Sequence, residues 1–215
     1  MMLARGSYSW ILLTVLIAIG TCILGVIGQG QWRLFLLILS ALFFLKTVFL
    51  VVFFRDPQRI IGHGIVAVAD GKIREITTLQ DPEIGECLRI STFMNLQNVH
   101  VNRMPLAGTI EKLTHHPGGH VPSFQKESDV NERIILLIRT DVGVMKIVQI
   151  AGTVARRIVP YFSEGSVLKK GEKIGLIRLG SRVDLYLPVN KIKPLMIQVH
   201  ERIKAGETTI AEVND

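Results

Sequence analysis

Two patterns divide the chain. From Trp10 to Ile27, and again from Leu34 to Phe54, the residues are almost all apolar. At about 1.5 Å per residue, each run is long enough to cross a bilayer core as a helix. The short polar stretch Gly28 to Arg33 joins them, so the pair predicts an antiparallel helical hairpin. A cleaved signal peptide fits less well. The first run is long for one, no A-x-A site follows it, and a second apolar run begins at once. Lys46 interrupts the second run. Its stem can snorkel toward the interface, and it leaves a shallow one-leaflet hairpin open beside two full spans. Pro57 ends the segment, because the residue before a proline avoids the helical region.

Beyond Pro57 the period falls to two, the mark of strands with one buried face. Val66–Ala69 and Lys72–Ile76 flank Asp70 and Gly71, which predicts a tight hairpin. Cys87–Phe93, Val99–Arg103, Thr109–Leu113, Ile134–Thr140, Val144–Ile150, Val154–Pro160, Lys173–Leu179 and Arg182–Leu187 read as further strands. Thr114 to Glu132 reads as one long irregular loop. Asn190 to Lys204 carries a weak helical period broken by Pro194. Many short strands between Gly and Pro turns predict a mainly β fold, a compact barrel-like or barrel-sandwich hybrid domain after an α-helical membrane hairpin. The expected division is residues 1–54 as anchor and 55–215 as the β domain, which is large enough for its own core.

Charge orients this arrangement. The formal net charge is +7. Arg5 precedes the apolar runs, Arg55, Arg59, Lys72 and Arg74 follow them, and only Arg33 lies in the turn. Lys and Arg favour the cytoplasmic side, so both ends and the β domain are expected there, on the cell membrane. Arg55 and Arg59 fall at headgroup level, where they suit anionic lipid. The basic residues are scattered and lack an aromatic platform, which argues against nucleic acid. Cys22 and Cys87 show no disulfide or zinc spacing and read as two buried thiols. His115, His116 and His120 do not make a metal site by spacing alone, and no metal is expected.

The chemistry centres on Gly180 and Ser181, which sit between two alternating runs. On pattern alone this is a strand, a kink and a strand. The G-x-S-x-G elbow of hydrolases is absent. Four motifs in order change the reading: Phe54 to Pro57; Ala69 to Gly71; Asn98 to Arg103 with Pro105 and Gly108; and Leu179 to Pro188. Together with Asn131 to Arg133 and Ile150 to Arg157, they resemble the short, membrane-anchored form of the phosphatidylserine decarboxylase family, archaetidylserine decarboxylases included. The resemblance covers nearly everything from Phe53 onward.

That resemblance implies a proenzyme. Ser181 Oγ attacks the Gly180 carbonyl, the bond between them breaks through an ester, and elimination and hydrolysis leave a covalent pyruvoyl group at position 181. The products are chains 1–180 and 181–215. The pyruvoyl carbonyl takes up the amine of a serine phospholipid and accepts electrons as carbon dioxide leaves, the role pyridoxal phosphate plays elsewhere. The implied partners are phospholipid, membrane and the two chains of one precursor; whether two copies pair as a homodimer stays open, as does the tail chemistry of the lipid. His100 alternates with Val99 and Val101 and is the expected acid/base, since imidazole titrates near neutrality. Asp70 is expected both to shape a turn and to orient a histidine. Longer members of the family carry a second histidine three residues on. Arg103 stands there, and arginine does not give up a proton at neutral pH; it is instead a candidate for a carboxylate or phosphate. Leu179 replaces a common phenylalanine. A rival reading is a membrane-tethered, non-enzymatic carrier barrel of biotinyl or lipoyl type. It rests on Gly165 to Gly175 and on Lys146 as an attachment lysine, and it requires an uncut chain.

Overall fold

The computed structural model describes residues 2–119, 131–152, 158–178 and 181–214. The chain forms two compact units, Met1–Gln58 and Arg59–Asp215. Leu179, Gly180, His120 and much of the expected 154–160 strand and 114–132 loop lie outside the described residues.

In the first unit, β1 (Met2–Leu3) leads into α1 (Tyr8–Ile27) and α2 (Gln31–Phe53), and β2 (Arg55–Asp56) returns to pair antiparallel with β1. The helices meet through small residues. Thr14, Ala18 and Gly25 are the buried positions of α1, and a Cβ on Gly25 would stand 3.0 Å from Leu37 Cδ2. Close approach lets hydroxyls bond across: Ser40 donates to the Ala18 carbonyl at 2.8 Å, and Thr47 to Thr14 Oγ1 at 2.9 Å. Small residues and hydroxyls are how helices associate in lipid. The outward faces carry exposed Leu12, Leu16, Ile23, Leu34, Phe44 and Leu45. Both helices are long and apolar enough to cross a bilayer, and together they are compatible with a membrane anchor. Cys22 is exposed on α1, while Cys87 is buried. Thiols are apolar enough to face lipid, so only one of the two expected buried thiols is interior.

The second unit is β-rich. Its strands are β3 (Ile65–Val66), β4 (Gly71–Asp81), β5 (Gly85–Met94), β6 (Val101–Arg103), β7 (Gly108–His116), β8 (Arg133–Thr140) and β9 (Gly143–Ala151). Then follow β10 (Ile158–Pro160), β11 (Val167–Leu168), β12 (Lys173–Ile177), β13 (Ser181–Pro188), β14 (Arg202–Ile203) and β15 (Thr209–Ala211). Eight of them make one sheet, in the order β11-β7-β8-β9-β13-β5-β4-β14, that curls as a half-barrel. β10-β12-β6 and β15-β3 form smaller sheets. Inner-face Ile90, Ile138, Ile147, Leu185 and Leu187 join Ile65, Ile174 and Ile210 in one core. The expected mainly β class and helical hairpin are both present.

Two local expectations give way. Asp70 and Gly71 do not turn a hairpin. β3 pairs instead with the distant β15, and β4 pairs with β5. The glycine serves a close approach: a Cβ on Gly71 would stand 2.3 Å from the Phe93 carbonyl oxygen. Residues 190–204 do not form a helix either. A 3-10 turn, Val189–Lys191, and the short strand β14 lie there instead. Pro194 lacks the N–H that a helix needs, and the backbone donors go elsewhere: Lys193 to Glu212, Met196 to Ile210 and His200 to Ile73.

Candidate active site

Strand alternation splits β13. Ser181, Val183, Leu185 and Leu187 face the core, and Arg182, Asp184 and Tyr186 face the other way. Ser181 pairs with Met94 of β5 on one side and Ala151 of β9 on the other. It is fully buried. Among the described residues its hydroxyl makes one hydrogen bond, to Met94 Sδ at 3.3 Å. A thioether is a weak acceptor, so the hydroxyl is only lightly held.

His100 is also fully buried. It stands just before β6, whose partner β12 leads toward Ser181; the Ile177 N–H donates to the His100 carbonyl at 3.3 Å. The ring's Nδ1 lies 2.8 Å from the Asn98 carbonyl. A carbonyl only accepts, so Nδ1 carries the proton, and the lone pair of the neutral ring belongs to Nε2. No hydrogen bond joins Ser181 to a histidine among the described residues; its hydroxyl stays on Met94.

Asn102, two residues after His100 and on β6, completes a chain that sequence reasoning missed. Gln149 Nε2 donates to Asn102 Oδ1 at 2.7 Å, and Asn102 Nδ2 donates to Met94 Sδ at 3.8 Å, the sulfur that also receives Ser181. Asn102, Gln149 and Met94 are fully buried. Asn131 closes the far edge by donating to the Ala151 carbonyl at 2.9 Å. A signal existed: Gln149 falls in phase with the buried Met145 and Ile147, and Asn102 in phase with His100.

Among the described residues, no hydrogen bond joins Asp70 to a histidine. Its carboxylate receives both bonds of Arg59 Nη2, at 2.9 and 3.1 Å, and the Ala205 N–H at 2.8 Å. Because residues 69–71 enter β4 without a hairpin, this side chain ties the C-terminal segment to Arg59. Arg59 also holds Glu207 at 3.0 Å, and its side chain is almost wholly shielded from solvent. Burial raises the Glu207 pKa, but Arg59 and Lys204 together hold it below the usual range. Arg103 points to the opposite side of β6 from His100, where Nη1 donates to the Gly171 carbonyl at 3.0 Å. Arg55, in the first unit, donates to the Val52 carbonyl. His115 contacts Glu132 at 3.1 Å, and His116 ends β7.

The outer face of the same strands is charged. A cavity of about 270 Å³ there is lined by Arg89, Arg133, Lys146, Arg182, Asp184 and Tyr186, among others. Arg182 bonds Asp184 at 2.9 Å. Burial raises the Asp184 pKa despite that partner. Lys146 is buried and paired with Asp81 and Glu83. Its own burial disfavours the charge, but the two carboxylates raise its pKa overall. A buried, doubly paired lysine in mid-strand cannot serve as a carrier's attachment point, so the rival carrier reading loses its key residue.

The interior of this β-rich unit thus holds a fully buried serine at the start of β13 and a fully buried histidine just before β6. The phosphatidylserine decarboxylase family model matches residues 47–211. A phosphatidylserine decarboxylase proenzyme of Streptomyces griseus is 43% identical over 209 residues, covering 97% of this chain and 92% of the relative. An archaetidylserine decarboxylase proenzyme of Methanococcoides burtonii is 40% identical over 214 residues, 98% of this chain and 96% of the relative. The chain belongs to the phosphatidylserine decarboxylase family.

Proposed function

We propose that the chain cuts its own Gly180–Ser181 bond and then decarboxylates a serine phospholipid to the ethanolamine phospholipid. The observation that carries this is Ser181, fully buried as the first residue of β13 between β5 and β9, in a chain whose relatives are named proenzymes. The residues around Ser181 suit a small uncharged group, since its inner-face neighbours Ala151 and Met94 carry no charge. A pyruvoyl group there supplies a carbonyl that condenses with an amine and takes up electrons as carbon dioxide departs. His100 does the proton work: Nε2 takes the Ser181 hydroxyl proton during the cut and later holds a proton for the decarboxylated carbon. Asn98 keeps the ring in the tautomer this needs.

The helical unit, residues 1–54 in function, holds the enzyme on the membrane, and the Lys and Arg bias puts the catalytic unit on the cytoplasmic side. Relatives named for both diacyl and archaeal lipids share the serine headgroup, so the headgroup is the common chemistry of the substrate. Intact mass under denaturing conditions tests the cut. The expected result is a large chain ending at Gly180 and a small chain with a blocked residue at 181. Release of carbon dioxide from vesicles of phosphatidylserine, and separately of archaetidylserine, assigns the tails. Ser181→Ala gives one uncut chain and no carbon dioxide. Activity in that variant, or an active wild type that stays whole, overturns the proposal.

A further inference from the structure

We infer that Gln149 is the hydrogen-bond acceptor that receives the amine freed at residue 181 during self-cleavage; this rests on the Gly180–Ser181 reading above. Gln149 is fully buried, and while its Nε2 is bonded to Asn102, its Oε1 has no partner among the described residues. An orphaned buried carbonyl bears its full desolvation cost with nothing in return, and such a group in a native interior calls for a reason. The orientation of the amide is set by the chain of bonds: a flipped Asn102 would put its carbonyl against the Met94 sulfur.

Position supplies the reason. Gln149 lies on β9 opposite Val183, while Ser181 lies opposite Ala151. The two are diagonal neighbours on one face, within reach of a long side chain. The bonds from Gln149 through Asn102 to Met94 end on the sulfur that holds the Ser181 hydroxyl.

The chemistry needs an acceptor there. When Oγ bonds to the Gly180 carbonyl carbon and the C–N bond breaks, the hydroxyl proton ends on nitrogen. Nothing is oxidised or reduced. One amide N–H and one O–H become an amine with two N–H groups, and the new ester oxygen has none. A donor has moved from Oγ, where a thioether sufficed, to the nitrogen of a residue buried between two paired strands. Gln149 Oε1 accepts the extra N–H. It thereby favours the ester over the amide from which it forms.

The test uses full-length precursor in detergent. Hydroxylamine intercepts the ester and releases a chain beginning with an unblocked Ser181, so the ester is read apart from any later activity. Gln149→Met keeps the volume and removes the acceptor. The trapped ester and the rate of cleavage are expected to fall about tenfold, the worth of one hydrogen bond. Gln149→Glu, protonated in this dry setting, retains both the donor and the carbonyl and is expected to cleave near the wild-type rate. Thermal unfolding in an uncut Ser181→Ala background separates function from structure. Adding Gln149→Met there is expected to leave the Tm unchanged or higher, because an orphan is removed. A Gln149→Met precursor that traps and cleaves like wild type overturns the inference and leaves the cut itself standing. Lost cleavage with a much lower Tm also overturns it, in favour of a packing role. A wild-type chain that never yields the ester overturns the underlying reading.

Discussion

The two faces of β13 are built from opposite materials. Outward, Arg182, Asp184, Lys146, Asp81 and Arg89 are ions in pairs. Inward, Ser181, Met94, Asn102 and Gln149 are neutral groups joined by hydrogen bonds, with one acceptor left over. The outer ions are tied into salt bridges, and their work is to hold four strands in register. The inner groups are held weakly enough to rearrange. A reacting centre placed among the outer ions would have to break several charge pairs to move; among the inner amides it needs to displace only a bond to sulfur.

The largest effect expected is on the inner face. His100→Gln keeps the size of the ring's polar edge but not its basicity, and self-cleavage is expected to slow at least about 100-fold, the usual worth of a placed general base. A time course of fragment masses measures it. Unchanged cleavage would put the base elsewhere. On the outer face, Arg182→Leu strands the buried Asp184 and is expected to cost about 3 kcal/mol of stability with little change in cleavage chemistry. Urea unfolding of the Ser181→Ala background reads it, and the double variant Arg182→Leu/Asp184→Leu recovers most of the loss.

The pH profile sharpens the contrast further. Burial raises the Asp184 pKa, so over the interval from the ordinary aspartate value to the raised one the native state holds a proton that the unfolded chain has lost. Stability therefore falls as pH rises through that interval. Asp184→Asn is expected to flatten the profile there. Asp81 has the opposite sign. Burial pushes it up, but Lys146 and the Glu83 amide bring it below its ordinary value overall. Its contribution is present above the unfolded value and lost as pH falls through the folded one. Smallest of all, Arg139→Ala removes an exposed pair with Glu111, and no more than about 1 kcal/mol is expected. Urea midpoints across pH check both.

Much of this was legible in the residue pattern. The apolar runs gave the hairpin because lipid tolerates little else, and period two gave most of the long strands. Ser181 and His100 stood out through motif order. What was not legible depended on partners far along the chain. β3 finds β15 across most of the second unit, and no local signal reports such a pairing. Asp70 and Gly71 look like a turn, yet the glycine answers to Phe93 and the carboxylate to Arg59 and Ala205. Arg59, expected at lipid headgroups, turns its side chain inward for the same reason. Gln149 was readable in principle, since a polar residue in phase with buried apolar ones on a strand must be bonded or be used.

β13 is bonded along both edges, to β5 and to β9, and β14 and β15 fasten the remaining tail to β4 and β3. Severing the backbone ahead of β13 therefore liberates nothing. After such a cut the short piece would stay interlocked as an interior stave of the half-barrel, and only denaturant should pull the two pieces apart.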